Sequence, residues 1–129
     1  MQWAMEMPWP KPPLNANQRL HWTAEARLKL EVRAAAALIA RSVGLPRGLR
    51  RVHVWIEVTP PDRRRRDPSN FMPTQKALLD GLVDYGLVPD DCPPYVQERV
   101  PVLLDPVPGR PRVVLVVDDL RQRGRQHPR

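Results

Sequence analysis

Apolar and polar positions change their period along this chain, and each change marks an element. From Ala24 to Val43 the residues Leu28, Val32, Ala35, Ala36, Ile39 and Val43 recur on one helical face, and no Pro or Gly interrupts them. Thr23 is the expected cap, Gly44 the stop, and Pro46 a barrier beyond it. The helix is rich in Ala, and that Ala-rich face suits either a core or an interface. Val52, Val54, Ile56 and Val58 then alternate with His53, Trp55 and Glu57, which predicts a strand with one buried face, closed by Pro60-Pro61. A second helix is expected from Pro73 or Thr74 to about Tyr85, carrying Lys76, Leu78, Leu79, Leu82 and Val83, with Gly86 capping it. Leu87–Asp91 reads as a turn. Tyr95–Leu104 and Pro111–Asp118 read as two last strands joined by a hairpin loop at Asp105–Arg110. Near the start, Pro8, Pro10, Pro12 and Pro13 make an extended segment, an edge strand running into a loop at Asn15–Asn17. The order predicts an α+β fold in one domain over residues 1–120, with a small mixed sheet of about four strands packed with two helices. Arg121–Arg129 alternates arginines without an apolar residue, so a disordered tail is expected there.

Charge narrows the function. The 129 residues carry 21 Lys and Arg against 14 Asp and Glu, a net charge of +7. A small basic domain attracts polyanions, and nucleic acid is the usual one. Membrane surface is the competing polyanion, but no apolar run approaches a spanning helix and no basic amphipathic helix stands out. Met1–Glu6 lacks the charged start and apolar core of a signal peptide, so a soluble, cytoplasmic protein without a membrane partner is expected. The single cysteine, Cys92, excludes an internal disulfide and a cysteine-based zinc site.

The chemistry concentrates between Arg63 and Asp91. Arg63, Arg64, Arg65 and Arg66 are consecutive and repel one another, an arrangement favoured where an anion meets them. Asp67-Pro68-Ser69-Asn70 follows, then Lys76 and Asp80 one helical turn apart, then Asp90-Asp91. If the strand ends at Asp67 and Asp91 are neighbours, their carboxylates converge. Mg²⁺ wants hard oxygen ligands and keeps several waters, so two or three carboxylates suffice to hold it, and Mn²⁺ is the natural substitute. Arginines on phosphate beside carboxylates on metal read as a nuclease. Each piece also has a plain reading. Asp67–Asn70 is good turn and capping chemistry, Lys76–Asp80 a solvated pair, Asp90-Asp91 a turn, and the arginine run a solvated surface. Trp22, close to Asn17 and Arg19, is the tryptophan placed to meet substrate, whereas packing is expected of Trp3, Trp9 and Trp55.

Asp67-Pro68-Ser69-Asn70, Lys76-Ala77-Leu78-Leu79-Asp80-Gly81-Leu82, Gly86 and Asp90-Asp91, with Leu14–Arg19 upstream, resemble the RusA family of Holliday junction resolvases over roughly Pro8 to Val117. The resemblance implies a small α+β homodimer that binds four-way DNA junctions and cuts related strands with Mg²⁺. It implies metal-ligand and catalytic roles for Asp67 and Asp91, a catalytic role for Lys76, and metal-site roles for Asp80 and Asp90. DNA contacts are expected from Arg63–Arg66, Ser69, Asn70, Asn17 and Arg19. The chain departs from the motif twice. Ser69 stands where an aspartate is expected, removing one carboxylate, and Phe71–Gln75 is longer than the family's spacing before the lysine. The first departure keeps a second reading open, a branched-DNA binder with a degraded metal site. A basic ribosome- or RNA-associated protein is the third.

Overall fold

Alternation over Val52–Thr59 produces the central strand, β2, of a computed structural model that describes residues 1–120. The residues expected to form a disordered tail, 121–129, lie outside the described part. Strand β1 (Gln2–Glu6) is followed by helix α1 (Trp22–Val43), β2, a 3₁₀ turn at Pro68–Phe71, helix α2 (Met72–Tyr85), β3 (Val96–Glu98), β4 (Val102–Leu103) and β5 (Arg112–Asp119). The sheet order is β1-β5-β2-β3, with β4 also beside β2. Strand β5 is antiparallel to both its neighbours, while β3 and β4 run parallel to β2. This is the expected α+β domain, a mixed sheet and two helices.

The core gathers the period-two and helical faces named from sequence. Val52, Val54, Ile56 and Val58 meet Val113, Leu115 and Val117 of β5, and α1 and α2 cover them with Val32, Ala36, Ala40, Leu78, Leu79 and Leu82. Trp55, on the opposite face of β2, is also buried, so both faces of this strand are shielded. The Arg99 guanidinium lies 4.7 Å over its ring and His53 packs edge-on at 5.3 Å, which is how an outward aromatic is covered. Trp3 and Trp9 pack against the core as expected, and Trp22 is exposed.

Several expectations are corrected. The edge strand precedes the prolines instead of containing them: Met7 donates to Val113 O at 2.8 Å, and Pro8, lacking an N–H, ends the ladder. Helix α1 starts at Trp22, and His21 is its cap, its Nδ1 accepting from Thr23 N. The strand expected over Tyr95–Leu104 divides into β3 and β4 around Arg99–Pro101. The expected hairpin at Asp105–Arg110 joins strands that are not paired. Strand β2 lies between β4 and β5, so this loop crosses its end.

The gap between β3 and β4 leaves Ile56 N of β2 and Arg99 O of the gap itself without strand partners, and Gln75 takes both. Its Oε1 accepts from Ile56 N at 2.9 Å, while its Nε2 donates to Arg99 O at 2.7 Å and to Glu98 Oε2 at 3.1 Å. Thr74 does the same for the N-terminal segment: its hydroxyl accepts from Leu14 N at 2.9 Å and donates to Leu14 O at 2.7 Å. Both side chains are fully buried. The stretch Phe71–Gln75, an insertion by motif spacing, therefore supplies two anchors of the fold.

The two helices touch at Gly81. A Cβ there would lie 2.1 Å from Arg33 O and 2.8 Å from the Ala36 Cβ. Alanine is the better helix former by about 1 kcal/mol, but the clash is with backbone, so Gly81→Ala is expected to destabilise by roughly 1–3 kcal/mol. A urea midpoint at or above that of the wild type would contradict this close contact. Beside it Arg33 grips Asp84 with two bonds, Nη2 to Oδ1 at 2.7 Å and Nε to Oδ2. The Arg33 hydrogen bonds and charge hold the Asp84 carboxyl below its ordinary range. A depressed folded pKa gives stability that is present above the unfolded carboxylate value, near 3.9, and lost as pH falls through the folded value. Asp84→Asn should flatten the acid limb of stability against pH below about 4, and an unchanged limb would count against the pair.

Candidate functional site

Gly86 sets the path of the loop that completes the site. It ends α2 with a φ of 98°, in the left-handed region that favours glycine, and its N–H bonds Leu82 O and Val83 O. Gly48 N and Leu49 N bond Gly86 O and Leu87 O at 2.9 and 2.8 Å, fixing the exit of the chain. Asp90 and Asp91 follow on the surface. The Lys76 ammonium, from the second turn of α2, donates to Asp91 Oδ2 and lies 3.4 Å from Asp80 Oδ1. Asp91 N is bonded to Asp90 Oδ1 at 2.7 Å. The structure thus joins Lys76, Asp80, Asp90 and Asp91, which sequence could pair only as Lys76–Asp80 and Asp90-Asp91.

Electrostatics follow the contacts. The hydrogen bond to Asp91 raises the Lys76 pKa, with the Asp80 charge adding to it, and Lys76 in turn lowers that of Asp91. At neutral pH the cluster is an ammonium among ionised carboxylates. Its net charge is negative, the balance that draws a cation.

Asp67 belongs to a different setting. It caps the 3₁₀ turn, where Oδ1 accepts from Ser69 N at 3.0 Å and from Ser69 Oγ at 2.8 Å, and these bonds lower its pKa. Ser69, in the place of the expected carboxylate, is a donor to Asp67 rather than a second anion. Asp67 lines a groove of about 790 Å³ together with Lys11, Asn15, Asn17, Arg64, Arg65 and Arg66. Ala16 N bonds Asn70 O at 2.9 Å, and with the Thr74–Leu14 pair this holds the proline-rich segment as one wall of the groove. Asn17 and Asn70 both line the groove, whereas Arg19 and Arg63 are exposed outside its lining.

The arginine run is divided in use. Arg66 folds back onto its own loop, Nη1 donating to Asp62 O at 3.0 Å and Arg64 O at 2.9 Å, and Nη2 to Asp62 Oδ1 at 2.9 Å. It is a strap of the loop. Arg64 lies 4.0 Å from Asp62, and Arg63 and Arg65 are exposed, Arg65 along the groove.

The four carboxylates expected around one metal do not converge. Among the described residues Asp90, Asp91 and Cys92 offer ligand atoms within 4.8 Å of one another, and neither Asp67 nor Asp80 belongs to that group. Strand β3 runs parallel to β2, so the strand end that releases Asp67 and the strand start that follows Asp91 lie at opposite ends of the pair. The donor set still suits a hard cation, since Mg²⁺ is commonly held by one or two carboxylates, waters and substrate phosphate. Asp90 and Asp91 fit that pattern, and the Cys92 thiol does not. Gln75 and Thr74, the polar residues that tie α2 to β2 and to the groove wall, were missed from sequence. Their signal was two polar side chains interrupting an otherwise apolar face.

No family model matches this sequence. An uncharacterized protein of Xylella fastidiosa (strain Temecula1 / ATCC 700964) is 33% identical over 86 residues, 63% of this chain and 56% of that protein. The chain thus spans little more than half the length of this relative, whose name states no activity. No described helix is long and apolar enough to cross a membrane.

Proposed function

We propose that this chain is a Mg²⁺-dependent, structure-selective endodeoxyribonuclease of the RusA type that resolves four-way DNA junctions in recombination and repair, acting as a cytoplasmic homodimer. The observation that carries the reading is Lys76 held between Asp80 and Asp91, with Asp90 beside them. Three acids and a base of the motif, far apart in sequence, share one surface. In this reading the groove between the proline-rich wall and Arg64–Asp67 is the phosphate-binding surface.

Each residue then has a task. Asp90 and Asp91 would hold Mg²⁺ or Mn²⁺, which supplies Lewis-acid polarisation of the phosphate and a more acidic bound water. Lys76 places a positive charge where negative charge grows on the phosphoryl oxygens, its direction fixed by Asp80 and Asp91. Arg64 and Arg65 position the backbone without reading sequence, as phosphate contacts do. Asn17 and Asn70 face the sugar-phosphate across the groove. Two copies related by a twofold axis match two symmetrically related cuts.

A second reading, a branched-DNA binder that does not cut, is favoured by one observation: Ser69 hydrogen-bonds Asp67, and Asp67 stands outside the Asp90–Asp91 group. The two separate on one junction substrate. The nuclease nicks it when Mg²⁺ is added. The binder shifts it equally with and without metal, and Ser69→Asp confers nicking. In both readings the affinity for a junction exceeds that for duplex DNA or RNA of equal charge and falls steeply with salt, as counterion release requires. Equal affinity for all three would reject both.

A further inference from the structure

The acids of the candidate site sit on a loop whose two ends are tied to one short segment. Leu49 N bonds Leu87 O at 2.8 Å on one side of it, and Val52 N bonds Tyr95 O at 2.8 Å on the other. Between those two rungs the short segment has only Arg50 and Arg51, while the loop carries Asp90 and Asp91. Asp91 is four residues along the chain from Leu87 and from Tyr95, which keeps it within about 14 Å of each. Arg51 O also accepts from Leu120 N at 3.0 Å, so the segment is fixed from the β5 side as well. Both arginines are exposed and make no ion pair among the described residues.

The other cations nearby are already committed. Arg47 Nε donates to Tyr85 O at 2.9 Å and its guanidinium lies 3.9 Å over the Tyr85 ring, where it serves the C-terminal end of α2. Lys76 is shared between Asp80 and Asp91, and Arg33 is held by Asp84. The arginine run leaves the other end of β2, where Arg66 and Arg64 turn to Asp62. That end is remote, since Val52 to Thr59 spans about 23 Å of strand.

We propose that Arg50 and Arg51 form a second phosphate-binding element, which holds the backbone of the DNA strand that enters the Asp90–Asp91 site. The inference rests on the DNA-binding reading above and divides its phosphate contacts between the two ends of β2. Three carboxylates against one ammonium leave the Lys76 cluster anionic, and a divalent cation would do no more than neutralise it. Phosphates flanking the attacked one therefore need a counter-charge of their own. They recur about every 3.4 Å along a strand, so a strand with one phosphate at Asp90–Asp91 lays others over the base of the loop. Arginine suits that task, because its planar guanidinium pairs with phosphate through two bonds and is weakly hydrated.

The experiment is ethylation interference on an end-labelled four-way junction bound by the full chain without metal. The variants are Arg50→Ala with Arg51→Ala, Arg64→Ala with Arg65→Ala, and Arg27→Ala as an exposed arginine elsewhere. The first pair should lose one set of sensitive phosphates and the second pair a different set. The first pair should also bind roughly tenfold or more weakly, and its slope of log affinity against log salt should fall by about 1.8, or 0.9 per lost contact. Arg50→Lys with Arg51→Lys should restore most of that slope, which separates lost charge from lost fold. The inference is overturned if the first pair keeps the affinity and pattern of the wild type, or loses the same phosphates as the second pair. An equal loss in Arg27→Ala overturns it too, since only net charge would then be felt. A wild type that binds the junction but does not nick it with Mg²⁺ ends the nuclease reading alone. One that binds no junction ends both.

Discussion

Lys76→Ala is expected to lower the rate of junction cleavage by about 10²- to 10³-fold, the typical cost of one preorganised charge aimed at a transition state. Junction affinity should change little, because the proposed backbone contacts are those of Arg50, Arg51, Arg64 and Arg65. Lys76 is anchored by Asp91 and Asp80, so its ammonium is fixed before substrate arrives and loses little freedom when charge develops nearby. Lys76→Arg keeps the charge but not the compact donor, and an intermediate rate is expected. Single-turnover cleavage on a labelled junction, beside a binding titration of the same variant, separates the two effects. A matched loss in rate and affinity would make Lys76 a DNA contact instead.

The largest stability effect is expected at Gln75. Replacing it by Ala strands the buried Ile56 N–H and the part-buried Arg99 C=O together, which no neighbouring strand can reach across the gap between β3 and β4. Each unsatisfied buried group costs about 1–3 kcal/mol, so a loss of roughly 2–5 kcal/mol is expected. That is a large share of the ~5–15 kcal/mol that holds a domain together. Urea unfolding followed by circular dichroism measures it. Gln75→Glu keeps the acceptor for Ile56 but sets a buried carboxylate against Glu98 Oε2 and Arg99 O, so it should lose at least as much stability as Gln75→Ala. A loss below about 1 kcal/mol would mean that water enters the gap and satisfies both groups.

The same residue marks the limit of what the sequence disclosed. Helix α1 and strand β2 were legible because period and length agree over many residues, with Gly44 and Pro60 as stops. The two-residue β4 and three-residue β3 carry too few positions to show a period, and they merged into one expected strand. Their parallel pairing with β2 has no local signature. The paired partner of β5 was misread for the same cause, since a short loop between apolar runs resembles a hairpin whichever strand lies between them. His21 capped α1 in place of Thr23 because a ring nitrogen can accept the same bond as a hydroxyl.

The candidate site divides along the same line. Lys76–Asp80 was readable from helical spacing. Lys76–Asp91 spans 15 residues and depends on how the loop after Gly86 folds, which no spacing rule gives. Asp67 was expected beside Asp91 on the premise of neighbouring strand ends, and the parallel register of β3 places those ends apart. The role of Ser69 as a donor to Asp67, rather than as a weak ligand, needed atomic geometry. Arg66 likewise changed role, from a phosphate contact to a strap, once Asp62 was seen to hold it.

The central claim is that the Lys76–Asp91 cluster cuts branched DNA with a divalent metal. The most direct measurement is cleavage of an end-labelled four-way junction by the wild type and Asp91→Asn, with and without Mg²⁺, on a sequencing gel. Paired nicks at symmetrically related positions that require Mg²⁺ and disappear in Asp91→Asn are expected, while that variant still binds the junction. Tight binding without nicks in the wild type, or nicks that survive Asp91→Asn, would contradict it.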